Sequence, residues 1–342
     1  MKILLTADPE LPVPPKLYGG IERIIDSLAR KLGERNHNVG LVAHPESTTN
    51  VNEFFPWPGA NSRSLIDSFR NTNTLKNSIS RFNPDVLHSF SRLMYMLPLF
   101  RRSIPKIMSY QREPNMRTVR WASRLAGDSI RFTGCGEHVA VRGRQAGGQW
   151  FGIHNFVELD KFTFIESVSV DAPLVFLSRL DRIKGAHNAI EIAKRTGQKL
   201  IIAGNYAEQG EDAMYWQDVI KPEIGKNNIE YIGPVDDVQK NELLGQAKAM
   251  IVPIEWDEPF GIVFAESLAC GTPVISSPRG ALPEIVRQGI DGFLVNSIDE
   301  GVLAVSKLDS IDRKNCRMRV EEKFTVDVIC DAYETLYRSM IK

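Results

Sequence analysis

Apolar residues in this chain fall in short blocks, separated by longer stretches in which they recur every three or four positions. Residues 3–7, ILLTA, form a nearly unbroken apolar run of the kind expected for a strand buried on both faces. A Pro-rich loop, DPELPVPPKLYGG, follows; then Ile21, Ile24, Ile25, Leu28 and Leu32 recur at helical spacing, and residues 39–43 give a second strand. Similar apolar blocks at 86–87, 106–108 and 131–135 predict further strands with helices between them. Strands alternating with helices predict a parallel sheet covered on both faces.

The pattern restarts at Leu174. LVFLS reads as a strand, DRIKGAHNAIEIAKRTG as one helix, and KLIIAG and EYIGP as strands. VQKNELLGQA then reads as a helix, AMIVPI as a strand, FGIVFAESLACG as a helix and TPVISS as a strand. The polar, irregular stretch 162–173 reads as the link, which predicts two α/β domains over 1–165 and 170–325. A terminal amphipathic helix over 326–342, with Val328, Ile329, Ala332, Leu336, Met340 and Ile341 on one side, is expected to pack back on the first domain.

The length of 342 residues fits two such domains. The 42 basic and 42 acidic residues cancel, which argues against nucleic acid as a partner. The zero conceals a division: residues 1–165 carry 22 Lys and Arg against 14 Asp and Glu, and the rest carry 20 against 28. The start, MKILLTADPE, reads as a first strand and not as a signal peptide, and no apolar run reaches membrane-spanning length. Cys135, Cys270, Cys316 and Cys330 are far apart and read as reduced, buried thiols. The six histidines show no metal-binding spacing. A cytoplasmic location is the expectation.

Three segments carry candidate chemistry. In EPFGIVFAE (258–266) a loop turns into a helix near Gly261 or Ile262, which ends at Gly271 with Pro273 beyond. Glu258 then lies in the loop and Glu266 about one turn inside the helix, roughly 6 Å along its axis. The open N–H groups of Gly261, Ile262 and Val263 between them suit an anion, as a sugar nucleotide requires. Spacing alone leaves open a solvated helix face with a loop carboxylate. In LSRLDRIKG (177–185), Arg179 at a strand end and Lys184 before a helix could counter a diphosphate or serve as surface cations. Tyr18, Gly19 and Gly20 open a helix after an unusually long loop, either a tight turn or a phosphate approach.

These segments, with SLACGTPVI, IIAGN, EYIGPV, PRGALPEIV, DGFLV and YGGIERI, resemble family 4 of the glycosyltransferases over nearly the whole chain. The resemblance implies the GT-B fold, two Rossmann-like domains facing across a cleft, with retaining, metal-independent chemistry and no cofactor. By it, Glu258 binds the donor sugar's hydroxyls, Glu266 the ribose, and Arg179 and Lys184 the diphosphate. Phe260, Gly261 and Ile262 line phosphate and sugar, Gly19 and Gly20 meet the diphosphate, and the base lies near Tyr231, Ile232 and Gly233. A UDP-sugar is the expected donor, UDP-glucose first, with GDP-mannose and UDP-N-acetylglucosamine open. The implied acceptor is a polysaccharide, lipid-linked saccharide or glycoside.

Departures fall on the acceptor side. Where many members have a His, MSYQREP (108–114) places Gln111 followed by Arg112, and Gln cannot act as a general base. His88 in DVLHSF resembles another family His, and the interdomain segment reads Asn155-Phe-Val-Glu158, without the usual glycine. The arginine-rich stretch 101–144 reads as a solvated face or as a contact with an anionic membrane. A nucleotide-sugar epimerase or a non-catalytic nucleotide-sugar-binding protein of the same fold is the alternative. A Rossmann dehydrogenase is disfavoured because no GxGxxG follows the first strand.

Overall fold

The computed structural model describes residues 1–16 and 19–341. They form two compact units, residues 1–156 with 326 onward, and residues 157–325. Counted over these units, the first carries 23 basic and 15 acidic residues, so the charge division survives the shift in boundary.

The first unit contains β1 (Lys2–Thr6), α1 (Gly20–Glu34), β2 (Asn38–Ala43), β3 (Glu53–Pro56), α2 (Leu65–Phe82), β4 (Val86–Ser89), β5 (Lys106–Tyr110), α3 (Met116–Ala126), β6 (Ile130–Gly134), α4 (Glu137–Arg144) and β7 (Trp150–Gly152). The strands pair in parallel in the order β3-β2-β1-β4-β5-β6-β7. That order reverses direction between β1 and β4, and with right-handed crossovers it puts helices on both faces. One face is covered by α2, a 3₁₀ segment (Leu93–Leu99) and α3, which share a core containing Leu75, Ile79, Tyr95, Met96, Val119 and Ala122. α2 starts at Ser64, whose hydroxyl accepts from the Asp67 N–H, and stops at Asn83 in the left-handed region.

The second unit contains β8 (Leu174–Leu177), α5 (Ala186–Thr196), β9 (Leu200–Ala203), α6 (Glu211–Tyr215), β10 (Ile229–Gly233), α7 (Asp237–Gln246), β11 (Ala249–Val252), α8 (Ile262–Ala269), β12 (Val274–Ser276), α9 (Leu282–Ile285), β13 (Gly292–Leu294), α10 (Ile298–Ser306) and α11 (Arg313–Lys323). Its parallel order is β10-β9-β8-β11-β12-β13, with the reversal between β8 and β11. The last helix, α12 (Val326–Met340), returns to the first unit and packs against α1.

Several expectations need correction. The stretch 162–173 is not a free linker: Ile165 donates to the Cys270 carbonyl at 3.1 Å, and Arg313 Nε donates to the Ile165 carbonyl at 2.7 Å. The second unit therefore begins at Val157, whose N–H reaches the Phe324 carbonyl at 2.8 Å. The single helix expected over DRIKGAHNAIEIAKRTG is divided into a 3₁₀ turn (Arg182–Lys184) and α5 by Gly185 at φ 75°. A Cβ on Gly185 would lie 2.0 Å from the Pro253 carbonyl oxygen, so close approach of two loops requires the break. The α12 contact face is also rotated: Ile329 and Leu336 are buried as expected, but with Cys330, Tyr333 and Tyr337, not Val328 and Met340. All four cysteines are buried, and none is in a disulfide.

Candidate functional site

In open parallel sheets, ligands bind beyond the strands' carboxyl ends where the strand order reverses. In the second unit that point lies between the loop after β8 and the loop after β11. The two loops are tied together: Glu255 N–H donates to the Ile183 carbonyl at 2.8 Å, and Asn188 Nδ2 donates to Glu255 Oε1 at 2.9 Å. Across them, Lys184 Nζ meets Glu258 Oε2 at 2.6 Å, with side chains only 11% and 12% exposed. Trp256 Nε1 donates to the same carboxylate oxygen at 3.1 Å, and the Lys184 ammonium lies 4.7 Å from the Trp256 ring centroid. Lys184 is thus fixed by a carboxylate and an aromatic face, and an ammonium has three donors, so two N–H bonds remain for a ligand.

Glycines set the backbone around this pair. Gly261 is left-handed at φ 78° and begins α8 without a side-chain cap, leaving the helix's first N–H groups for an anion. Gly280 supports Glu258 from the PRGALPEIV segment. A Cβ there would lie 2.2 Å from the Glu258 carbonyl oxygen, and the next residue, Ala281, donates its N–H to that carbonyl at 2.9 Å. Phe260 contributes backbone only, because its ring is buried against Phe324. Ile262 is the first residue of α8 and half-buried.

Glu266 lies in the second turn of α8, where Lys240 of α7 meets it at 2.7 Å and Asp237 at 3.3 Å. Burial lowers the Lys240 pKa, but Glu266 and Asp237 outweigh it and the net shift is upward. Arg179 is more open, paired with Asp181 at 2.8 Å. At the ends of β9 and β10, Tyr206 and Trp216 stack with ring centroids 4.5 Å apart, and Tyr231 donates to the Gly204 carbonyl at 2.9 Å. Ile232 is exposed beside them, and Gly233 turns the chain at φ 80°. A cavity of about 860 Å³ opens on the other side of β8, beyond β11, β12 and β13, lined by Asn188, Glu255, Asp257, Arg279 and Asn296 among others, but not by Glu258 or Lys184. Tyr206, Trp216, Lys240 and Trp256 escaped sequence reasoning. Trp256, two residues from Glu258 in the motif loop, is the one that spacing could have indicated.

The first unit has its own reversal point, between β1 and β4. Gly19 caps α1 and Gly20 is its first residue, while Tyr18 lies outside the described residues. A Cβ on Gly19 would lie 2.8 Å from Glu22 Oε2, so the glycine lets that carboxylate pass beneath the turn. Asp8, just past β1, has a buried Oδ1 with no hydrogen-bond partner among the described residues. Burial pushes its carboxyl up to about 6, with Glu10 adding and Arg112 and Arg92 opposing. Gln111 Oε1 accepts from Asn155 Nδ2 at 2.8 Å, and Arg112 is exposed next to it.

His88 does not belong with these groups. It is fully buried, with Nδ1 at 2.6 Å from the Tyr337 hydroxyl and Nε2 at 2.6 Å from the Ser109 hydroxyl. Desolvation lowers its pKa to about 3, so it is a neutral core histidine that joins β4 to α12 and faces no acceptor.

Residues 164–321 match the family described as glycosyl transferases group 1, and residues 18–131 match glycosyltransferase family 4. An uncharacterized glycosyltransferase of Methanocaldococcus jannaschii is 29% identical over 194 residues, which are 52% of this chain and 48% of that protein. The chain spans about half the length of the curated relatives it matches. Among solved structures, a sucrose-phosphate synthase from Thermosynechococcus elongatus superposes with a TM-score of 0.79 at 18% identity, covering 99% of this chain and 98% of that one. The Anabaena protein HepE, solved with UDP and glucose, gives a TM-score of 0.72 at 18% identity, covering 98% and 99%.

Proposed function

The chain belongs to the family 4 glycosyltransferases of the GT-B fold, and from that premise we propose that it moves a hexose from a nucleotide diphosphate sugar to an acceptor hydroxyl. The observation that carries this reading is the Lys184–Glu258 pair at the second unit's reversal point, 2.6 Å apart beside the uncapped start of α8. Lys184, Arg179 and the α8 N–H groups supply positive charge where a leaving diphosphate develops negative charge. Such fixed charge acts without reorganisation during the reaction. Glu258 accepts from hydroxyls of the sugar and Glu266 from the ribose, while Tyr206 and Tyr231, backed by the buried Trp216, offer ring faces near the base.

Retention of configuration is part of the proposal. The acceptor attacks the face the diphosphate leaves, and a diphosphate oxygen takes the acceptor's proton while the cations hold the group in place. These cations fill the role a divalent metal has elsewhere, so turnover in EDTA is expected. UDP-glucose remains the favoured donor, in keeping with the UDP and glucose held by the HepE neighbour. On the acceptor side, Gln111 and Arg112 stand with Asp8 as hydroxyl-binding candidates, and a saccharide, lipid-linked saccharide or glycoside fits them. The test is a thermal-shift screen of UDP- and GDP-sugars, followed by nucleotide release with and without acceptors. Acceptor-dependent release supports transfer. An isomerised donor would make the protein an epimerase, and binding without turnover would make it a sugar-nucleotide sensor.

A further inference from the structure

The layer formed by α2, the 3₁₀ segment Leu93–Leu99 and α3 buries one face in the first unit's core, so its other face points outward as a single surface. That surface is unusual in being apolar and cationic together. In the first two turns of α2, Leu65, Ile66 and Phe69 are 80%, 67% and 69% exposed. The 3₁₀ segment adds Met94 and Leu97, and α3 adds Trp121 at 64%. These are adjacent elements: α2 and α3 both pack against the 3₁₀ segment, and Arg92 at its start donates to the Ser62 carbonyl just before α2.

The charged groups around the apolar patch are almost all arginines. On α3, Arg117, Arg120 and Arg124 are exposed at helical spacing beside Trp121, making one stripe. Arg63 and Arg70 flank the apolar turns of α2, and Arg101 and Arg102 follow the 3₁₀ segment. Of the nearby acids, Asp67 accepts from the Asn61 N–H at 3.2 Å and lies 3.9 Å from Arg70, and Glu113 is paired with Arg142 at 3.1 Å. The arginine-rich stretch thus divides by role, with Arg142 and Arg144 paired to Glu113 and Glu137 and the α3 arginines turned outward.

We propose that this face docks on an anionic lipid bilayer, with Leu65, Ile66, Phe69 and Trp121 entering the headgroup boundary and the arginines pairing with lipid phosphates. Charge selects this occupant. A second copy joined symmetrically would bring arginine against arginine, whereas a bilayer offers apolar depth and negative charge at one surface. The inference is independent of the donor assignment, because none of these residues belongs to the nucleotide-sugar site.

The test is co-sedimentation of the full chain with vesicles of phosphatidylcholine alone or mixed equally with phosphatidylglycerol. Binding to the mixed vesicles at low salt is expected, with at least tenfold loss at 0.5 M salt. Leu65→Ser/Phe69→Ser and Arg117→Gln/Arg120→Gln/Arg124→Gln should each weaken it at least tenfold while keeping the wild-type melting temperature. No binding to mixed vesicles, or equal binding by wild type and both variants, would overturn the proposal. So would a wild-type dimer in sedimentation velocity that Leu65→Ser/Phe69→Ser converts to monomer.

Discussion

Replacing Lys184 by Met tests whether the 2.6 Å contact with Glu258 is a structural pair as well as a functional one. Removing one partner of a buried ion pair typically costs about 3–5 kcal/mol, because the other charge is stranded. Two features reduce that here: each side chain keeps about a tenth of its exposure, and Glu258 retains the Trp256 indole donor at 3.1 Å. A loss of about 2–3 kcal/mol follows for Lys184→Met. For Glu258→Gln about 1–2 kcal/mol is expected, since the amide oxygen still accepts from Trp256 and Lys184 keeps the ring face. The double variant should cost at least about 1 kcal/mol less than the sum of the singles, because it strands no charge. For a domain of this size, Lys184→Met corresponds to a drop of about 5–10 °C in melting temperature. Transfer should fall about 10²–10³-fold in kcat/KM, as when a donor to a developing anion is removed. Calorimetry at pH 7.5 and a nucleotide-release assay read both. Unchanged melting with turnover within twofold of wild type would refute the reasoning, and additive single effects would refute the coupling.

Three other perturbations probe different parts of the molecule. Gly280→Ala places a Cβ 2.2 Å from the Glu258 carbonyl oxygen, so donor consumption should fall at least tenfold although no ligand-facing side chain changes; retained activity would show that the Glu258 loop tolerates displacement. Asp8, pushed up to about 6, contributes stability that is complete below its unfolded value and is lost as pH rises through 6, a change of about 3 kcal/mol. Asp8→Asn should therefore melt higher than wild type at pH 8 by a margin that shrinks towards pH 4, and a pH-independent margin would contradict the assignment. His88, lowered to about 3, contributes stability that is complete above about 6.5 and is lost as pH falls, at about 1.4 kcal/mol per pH unit. Urea titrations should show the gap between wild type and His88→Gln closing as pH falls from 6 to 4, and a constant gap would contradict a buried neutral ring.

What could be read from the sequence followed the strength of local punctuation. The segment around α8 was legible because Gly261, Gly271 and Pro273 mark its ends and its two glutamates have fixed spacing. The run at DRIKG misled because helical periodicity continues through Gly185, and only its approach to the Pro253 carbonyl reveals the break. The strands β3 (EFFP), β7 (WFG) and β13 (GFL) lack the run of aliphatic residues that marks the equally short β8 and β11. The α12 face was misjudged because tyrosines were left out of the apolar count, and Tyr337 is fully buried. His88 is decided by that same Tyr337 hydroxyl, 249 residues away in the chain, and no local pattern carries that information.

The proposed nucleotide-sugar site of the second unit combines a diphosphate-binding cation, Lys184, with two hydroxyl-binding carboxylates, Glu258 and Glu266. Isothermal titration of UDP and UDP-glucose into wild type, Glu258→Gln and Lys184→Met measures this most directly. Wild type is expected to bind UDP-glucose more tightly than UDP, Glu258→Gln to bind the two alike, and Lys184→Met to bind both at least tenfold more weakly. Equal affinity of all three proteins for both ligands would contradict it.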